Sequence, residues 1–430
     1  MNRKLMVAAV AAAFAAPAAY AQSSVTVGGT INIIFDSARA SGASNDNAGG
    51  NRFNIRSHDR VRDGLGSNIR FSVIEDLGGG NSAFVQVESA VLSNSDTRNN
   101  AIAATASTVG WGNRNSAIGI RSKAAGRFLI GVWDVHYHET YAWDPGWLTV
   151  NSSGSTLALT NNFGAPGILP NIGGRYANVI RWDSPVWSGF SLTANYARPT
   201  DTAPINKSDG DIRDGKKNRV WNIAARYESG GLSVGYSYLS DKDINQVSTT
   251  LSAGNGGFAG IAVPQYTAVW KVTSNRLGAR YKFANGLGIG AWWDSSRANG
   301  RGIDVFGNGI VHVKRTVWSI PLTYTTGNHH VYGSWSKAGD WNGSAGGVSF
   351  RDLGGFGTNG QSLNNNTGAK FIAVGYAYKL SQRTNVGVSY QKITNESFAA
   401  YDLFANSVGM AEGNIGADPR TFAVNLRHNF

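Results

Sequence analysis

The sequence predicts an all-β fold: a sixteen-stranded antiparallel transmembrane β-barrel. Three observations predict it. Apolar and polar residues alternate with a period of two along most of the chain, the mark of strands with unlike faces. The connectors between these runs come in two lengths that take turns. The composition is also that of strands and turns: of 430 residues only 15% are charged, while 55 are Gly, 13 Trp, 16 Tyr and 18 Phe. No internal stretch approaches the ~18 consecutive apolar residues of a membrane-spanning helix. The absence of cysteine excludes a disulfide scaffold, a cysteine-ligated metal site and a thiol nucleophile.

The first element is an address. Arg3 and Lys4 precede an unbroken apolar run over 5–19, and Ala19-Tyr20-Ala21 offers the small residues a signal peptidase reads. Residues 1–21 therefore read as a Sec-type signal peptide, Gln22 as the mature N-terminus, and 22–430 as one barrel domain. The net charge is +12 over the whole chain, and +10 once Arg3 and Lys4 leave with the leader.

Beyond it the strands follow in order. Val25, Val27, Gly29, Ile31, Ile33 and Phe35 alternate with Thr26, Gly28, Thr30 and Asn32. The same period runs through Leu192 to Tyr196, Leu232 to Tyr238, Leu277 to Phe283 and Ile372 to Leu380. One face of each run is apolar, often with a terminal aromatic; the other is small, polar or cationic. A soluble sandwich would alternate in the same way, so the connectors decide. Short ones such as Ser229-Gly230-Gly231, Ala284-Asn285-Gly286 and Ser381-Gln382-Arg383 are hairpin turns, where Gly and Asn supply positive φ. Long, Gly- and Asn-rich ones fall at about 199–217, 240–264, 294–311, 338–368 and 393–416. Taking turns, they predict tight turns at one rim and long outer loops at the other.

Sixteen runs satisfy this pattern, from 24–37 to 420–430. An even number closes the sheet without the unpaired edge that lipid forbids, and sixteen strands leave an aqueous lumen. The closing strand is legible by itself: Phe422, Val424, Leu426, His428 and Phe430 form one outward row that ends on an aromatic.

Several segments carry a resemblance. They are Asn68-Ile69-Arg70-Phe71 with Glu75-Asp76-Leu77-Gly78-Gly79-Gly80 and Phe84 to Glu88, then Asn113-Arg114-Asn115-Ser116, Arg175 to Pro185, Gly375 to Thr384, and the ending Leu426-Arg427-His428-Asn429-Phe430. In this order the chain resembles the trimeric general porins of Gram-negative outer membranes, in their betaproteobacterial branch. The resemblance implies a homotrimer in the outer membrane, in contact with lipid and lipopolysaccharide. It also implies a third loop, here roughly 135–174, that folds into each lumen and narrows it. Arginines on the wall then face acids on that loop. Matched by position, the wall arginines are Arg114 and Arg175; Asn68 stands at a third such position, with Arg70 two residues on. The loop offers Asp134, Glu139 and Asp144, and the aromatics Tyr137, Tyr141, Trp143 and Trp147. The family's Pro-Glu-Phe-Gly-Gly style loop motif is absent, and Val27-Gly28-Gly29-Thr30 departs from its usual first strand.

A pore works through its radius and the charges along a narrow wet path. Arg70, Arg175, Arg181, Arg226, Arg276, Arg280, Lys282 and Arg315 fall on polar strand faces with few acids beside them. With the basic net charge, this predicts an anion-preferring channel for ions and small hydrophilic solutes. The alternative is a substrate-specific channel with Tyr141, Trp143 and Trp147 as a stacking site; aromatics that pin the loop to the wall are the plainer reading. His136 and His138 lack a third ligand at fixed spacing and read as solvated loop histidines, so no metal and no cofactor are expected. Tyr281, Phe283, Tyr376, Tyr378 and Phe430 read as interfacial girdles. An enzyme is not indicated, because the seven histidines are scattered and no nucleophile-elbow motif occurs. Nucleic acid is not indicated either, since the cations are dispersed along an exported chain.

Overall fold

The computed structural model describes residues 24–42, 57–64, 66–91, 111–136, 139, 154–164, 172–198, 219–247, 267–301, 310–345, 348–349, 366–397, 399–403 and 416–430. They form a closed antiparallel barrel. In chain order β1 is Ser24–Ser41, β2 is His58–Asp63 continued by Asn68–Gly78, β3 is Asn81–Ala90, β4 is Ser116–Ser122 and β5 is Gly126–Val135. One helical turn, α1 (Leu157–Thr160), follows. Then come β6 (Gly174–Asp183), β7 (Phe190–Ala197), β8 (Arg219–Ser229), β9 (Leu232–Val247), β10 (Thr267–Lys282), β11 (Leu287–Arg301) and β12 (Ile310–Thr326). β13 is His329–Ala338 continued by Asn342–Ala345; β14 is Ala369–Lys379, β15 is Thr384–Asn395 and β16 is Asp418–Asn429.

Each strand pairs with the next. Two interruptions leave the count at sixteen. β1 pairs with Asn68–Gly78 along its first half and with His58–Asp63 along its second. Across the break, Gly64 donates its N–H to the Asn32 carbonyl (2.7 Å), so the ladder never opens. β12 likewise pairs with both parts of β13. Among the described residues Val348–Ser349 pairs only with Asn342–Ala345.

The seam joins β16 to β1 from Thr30↔Asn429 to Ser41↔Asp418, and Gly29 and Phe430 exchange backbone hydrogen bonds of 2.9 and 3.1 Å. A Cβ on Gly29 would lie 2.7 Å from the Phe430 ring and 2.3 Å from the Asn68 carbonyl oxygen. The terminal ring therefore covers the glycine, and only glycine fits under it. The tight rim has its own requirement: Gly230 and Gly231 join β8 to β9 with φ of +55° and +88°, both positive as a two-residue type I′ hairpin demands.

The faces sort as their residues dictate. Ile118, Ile130, Ile180, Ile223, Trp318, Val374, Phe422 and Leu426 are exposed on the outside. The buried apolar cluster lies within the barrel, where Phe163 and Ile172 of the third connector pack with inward Val220, Leu239, Val272, Ala298 and Val313. Leu159 packs with Val317, Tyr332, Phe371, Ile393 and Tyr401. Several strands outrun the sequence expectation at their outer ends. β9 reaches Val247 and β11 reaches Arg301, so parts of two expected loops are wall.

Candidate functional site

Two charged groups and one clamp line the inner wall. The first group joins β3 to β6. Arg114 meets Glu88 at 2.5 Å and Arg175 meets Asp134 at 3.0 Å. Asp134 and Arg175 stand directly opposite each other in the β5–β6 register, which is why an acid and a base there find one another. Asn115 stitches the pairs together: its amide donates to Asp134 (2.8 Å), and its carbonyl accepts from Arg175 Nε (3.2 Å).

The second group lies nearer the tight turns. Arg181 holds Glu139 and Asp183, each at 2.7 Å. Arg127 also meets Asp183, at 2.5 Å. Arg226 on β8 donates to the Glu139 carbonyl (2.7 Å). Glu139 belongs to the third connector, so two strands fix it by both side chain and backbone. A cavity of about 240 Å3 opens beside it, lined by Glu139, Arg181, Asp183, Thr193 and Arg226 among others.

The clamp corrects the sequence expectation most. Arg276 and Arg315 are not water-lining cations; both are fully buried, as is Asp294 between them. Asp294 takes Arg276 Nε at 3.0 Å and Arg315 Nη2 at 3.3 Å. The two guanidinium groups also reach the third connector: Arg315 donates to the Leu159 and Thr160 carbonyls and Arg276 to Thr160. These are the carbonyls that a short helix leaves without partners. A second tie holds the same segment, where Trp341 Nε1 donates to the Phe163 carbonyl (2.7 Å) and the Ala400 N–H to the Gly164 carbonyl (2.8 Å). Tyr401 packs against Gly164, and burial pushes its phenol up to about 12.

The expectation of few acids on the inner face is also corrected. Asp36, Glu88, Asp183, Asp241 and Asp294 all lie there, each with a basic or hydroxyl partner. His136 is corrected too. Expected in solvent, it is wholly buried, with Nδ1 2.9 Å from Ser237 Oγ and Nε2 2.9 Å from Ser274 Oγ.

Residues 8–397 match the family described as Gram-negative porin. The chain belongs to the Gram-negative porin family. An outer membrane porin of Bordetella pertussis is 25% identical over the full length of both chains. The major outer membrane protein P.IB of Neisseria sicca is 28% identical over 45% of this chain and 49% of that protein. The fold is shared with the anion-selective porin of Comamonas acidovorans (18% identity, TM-score 0.63, 95% of this chain and 100% of that one). It is shared as well with OmpT, a Vibrio cholerae outer membrane protein solved as a trimer (12% identity, TM-score 0.61, 95% and 99% of the chains). The porin thus resides in the outer membrane, and its barrel crosses with strands.

In this porin Arg70 shares the inward face with Glu88, its register partner, and is exposed. It makes no ion pair among the described residues. Arg121 is exposed as well, stacked 4.6 Å over the Phe84 ring. Phe422, Leu426 and Phe430 are exposed on the outside in the expected row, with His428 exposed and Val424 partly so; Tyr281 and Phe283 are also exposed there. Asp144, Tyr137, His138, Tyr141, Trp143, Trp147 and the leader over 1–21 lie outside the described residues. Among the described residues no three His, Asp or Glu side chains converge to hold a metal ion. The site residues that sequence reasoning missed are Glu88, Asp183 and Asp294. Their signal was positional, since each stands on the inward parity of its strand.

Proposed function

We propose that this porin forms a water-filled channel that passes ions and small hydrophilic solutes by diffusion, prefers anions and catalyses no reaction. One observation carries the preference. Toward the tight-turn rim the inward parity of the strands carries Arg70, Arg121, Arg127, Arg181, Arg226, Arg280, Lys282, Lys379 and Arg427, against Asp76, Glu88, Asp183 and Glu228. Charges on low-dielectric walls concentrate counter-ions in the water between them, so this half of the lumen gathers anions. The Comamonas relative, described as anion-selective, supports the same reading.

The constriction in this reading lies between the third loop and the wall that bears Arg114, Arg175 and, on β5 rather than on the loop, Asp134; Glu139 and, by the family resemblance, Asp144 form the acidic side. Arg70 and Arg181 line the approach. Assembly as a homotrimer follows the family, as does removal of residues 1–21 by signal peptidase. Purified porin in a planar bilayer under a KCl gradient should give a reversal potential of the sign for chloride. Arg175→Glu sets a carboxylate against Asp134 and should move that potential toward potassium. Clear cation selectivity in the native porin refutes the preference, and an unmoved potential in the variant removes Arg175 from the constriction.

A further inference from the structure

One patch of the inner wall carries polar atoms that the fold leaves unanswered. It spans β13 to β16 and reaches β1 and β2 in three adjoining rows of cross-strand neighbours. The first row runs from Ser334 through Ala373, Gln391 and Thr421 to Ala38. The second, two residues nearer the tight turns, holds Tyr332, Gly375, Ser389, Ala423 and Asp36. The third holds Asn425, Ile34 and Arg62. Among the described residues the hydroxyls of Ser334, Ser389 and Thr421 have no hydrogen-bond partner, nor have both ends of the Gln391 amide, the Asn425 carbonyl and Arg62 Nη2. These six residues are at most 7% exposed. Buried polar atoms are nearly always paired, and an unpaired one bears its full cost of leaving water. The wall of β7 to β9 shows the usual state, where Asn195, Asn222 and Ser237 are joined in one network.

We propose that this strip is a binding site for an uncharged, polyhydroxylated solute of the sugar class. The proposal rests on the channel reading given above and adds a seat to it. The mix of unpaired atoms decides the class. Arg62 Nη2 only donates, the Asn425 carbonyl only accepts, and Gln391 offers one of each whichever way its amide is turned. An anion would satisfy the donors and meet the amide oxygens; a cation would do the reverse. The carboxylate in these rows, Asp36, is already held by Arg60 and Arg62. A hydroxyl both gives and takes, so a row of hydroxyls answers the whole set. The spacing is regular too: neighbouring strands lie about 4.8 Å apart, and successive rows about 7 Å apart along a strand. Small residues separate the polar ones, and the Tyr332 ring lies against Gly375, where a Cβ would come within 2.2 Å of it. An aromatic ring therefore adjoins Ser389 for the apolar face of a sugar. Leu159 of α1 and Tyr401 pack with Tyr332, Phe371 and Ala373 at the outer end, so the strip is sheltered between those segments and the wall.

The test is current recording of the purified porin in planar bilayers in concentrated KCl, where salt screens the charges, with maltose or succinate added. Maltose should interrupt the current with a block that saturates as its concentration rises, and succinate should not. Ser389→Ala should raise the half-blocking concentration about fivefold, the size of one lost hydrogen bond. Gln391→Leu should raise it further, because both ends of the amide are lost. The same variant removes unpaired atoms at similar volume, so the temperature at which the folded barrel loses its compact gel mobility should not fall. A fall in that temperature means the amide has its partner within the protein, and overturns the site. Half-blocking concentrations equal to the native one in both variants overturn it as well. If neither variant folds, the native record decides: a current that declines in simple proportion to maltose means plain diffusion and no site. Saturable block by succinate in place of maltose overturns the solute class. Absence of any conductance in KCl alone instead defeats the channel reading itself.

Discussion

Asp294 is a single carboxylate between two buried guanidinium groups, and both of those reach onward to backbone carbonyls of the third loop. Removing one member of a buried ionic group leaves an uncompensated charge, which costs on the order of 3–5 kcal/mol. Asp294→Ala should therefore lower the temperature at which the folded barrel loses its compact gel mobility, and should make the open current noisy as the loop loosens. Asp294→Asn keeps acceptor capacity and should fall between. The sequence offered Arg276 and Arg315 as cations on polar faces, and the parity was right. What it withheld was company. Their carboxylate is on another strand, and the carbonyls they meet are 116 and 156 residues away in the chain. His136 was misjudged for the same reason: its partners stand 101 and 138 residues further on. Burial inside a barrel is decided by what folds back against the wall, and a period of two carries no record of that.

At the scale of elements the sequence was far more explicit. Within the bilayer one face of a strand meets lipid and the other water, so alternation is enforced on every strand and legible in each. Beyond the bilayer the outward face no longer has to be apolar, yet pairing continues. That is why β9 and β11 run on to Val247 and Arg301 through stretches that look like loop. The interruptions in β2 and β13 were equally hidden, because a ladder can continue across a break that has no sequence period of its own. The seam shows how closely an element's fit can hang on one position. A side chain on Gly29 would strike the Asn68 backbone and the Phe430 ring at once. Overpacking of this kind costs about 1–3 kcal/mol. Gly29→Val should destabilise the barrel by that amount in urea titrations of folded against unfolded mobility, while Gly230→Val should act on the turn alone, through its positive φ.

For the whole molecule, selectivity is a property of a field and not of one contact. Many inward cations act together across the lumen, so their influence should fade as salt screens them. The Debye length shrinks from about 10 Å at 0.1 M to about 3 Å at 1 M. The anion preference measured in dilute KCl should therefore weaken toward the ratio of bulk mobilities in concentrated KCl; a preference constant over that range would mean a binding site in place of a field. The closure of the sheet has a further consequence, in time. Thr30 and Asn429 share a hydrogen bond although 399 positions separate them. Joining ends that far apart costs about 5 kcal/mol of chain entropy, repaid only when the whole seam zips. High contact order of this kind makes folding slow. Until the seam zips, every copy carries two open edges, β1 and β16, that another copy can join.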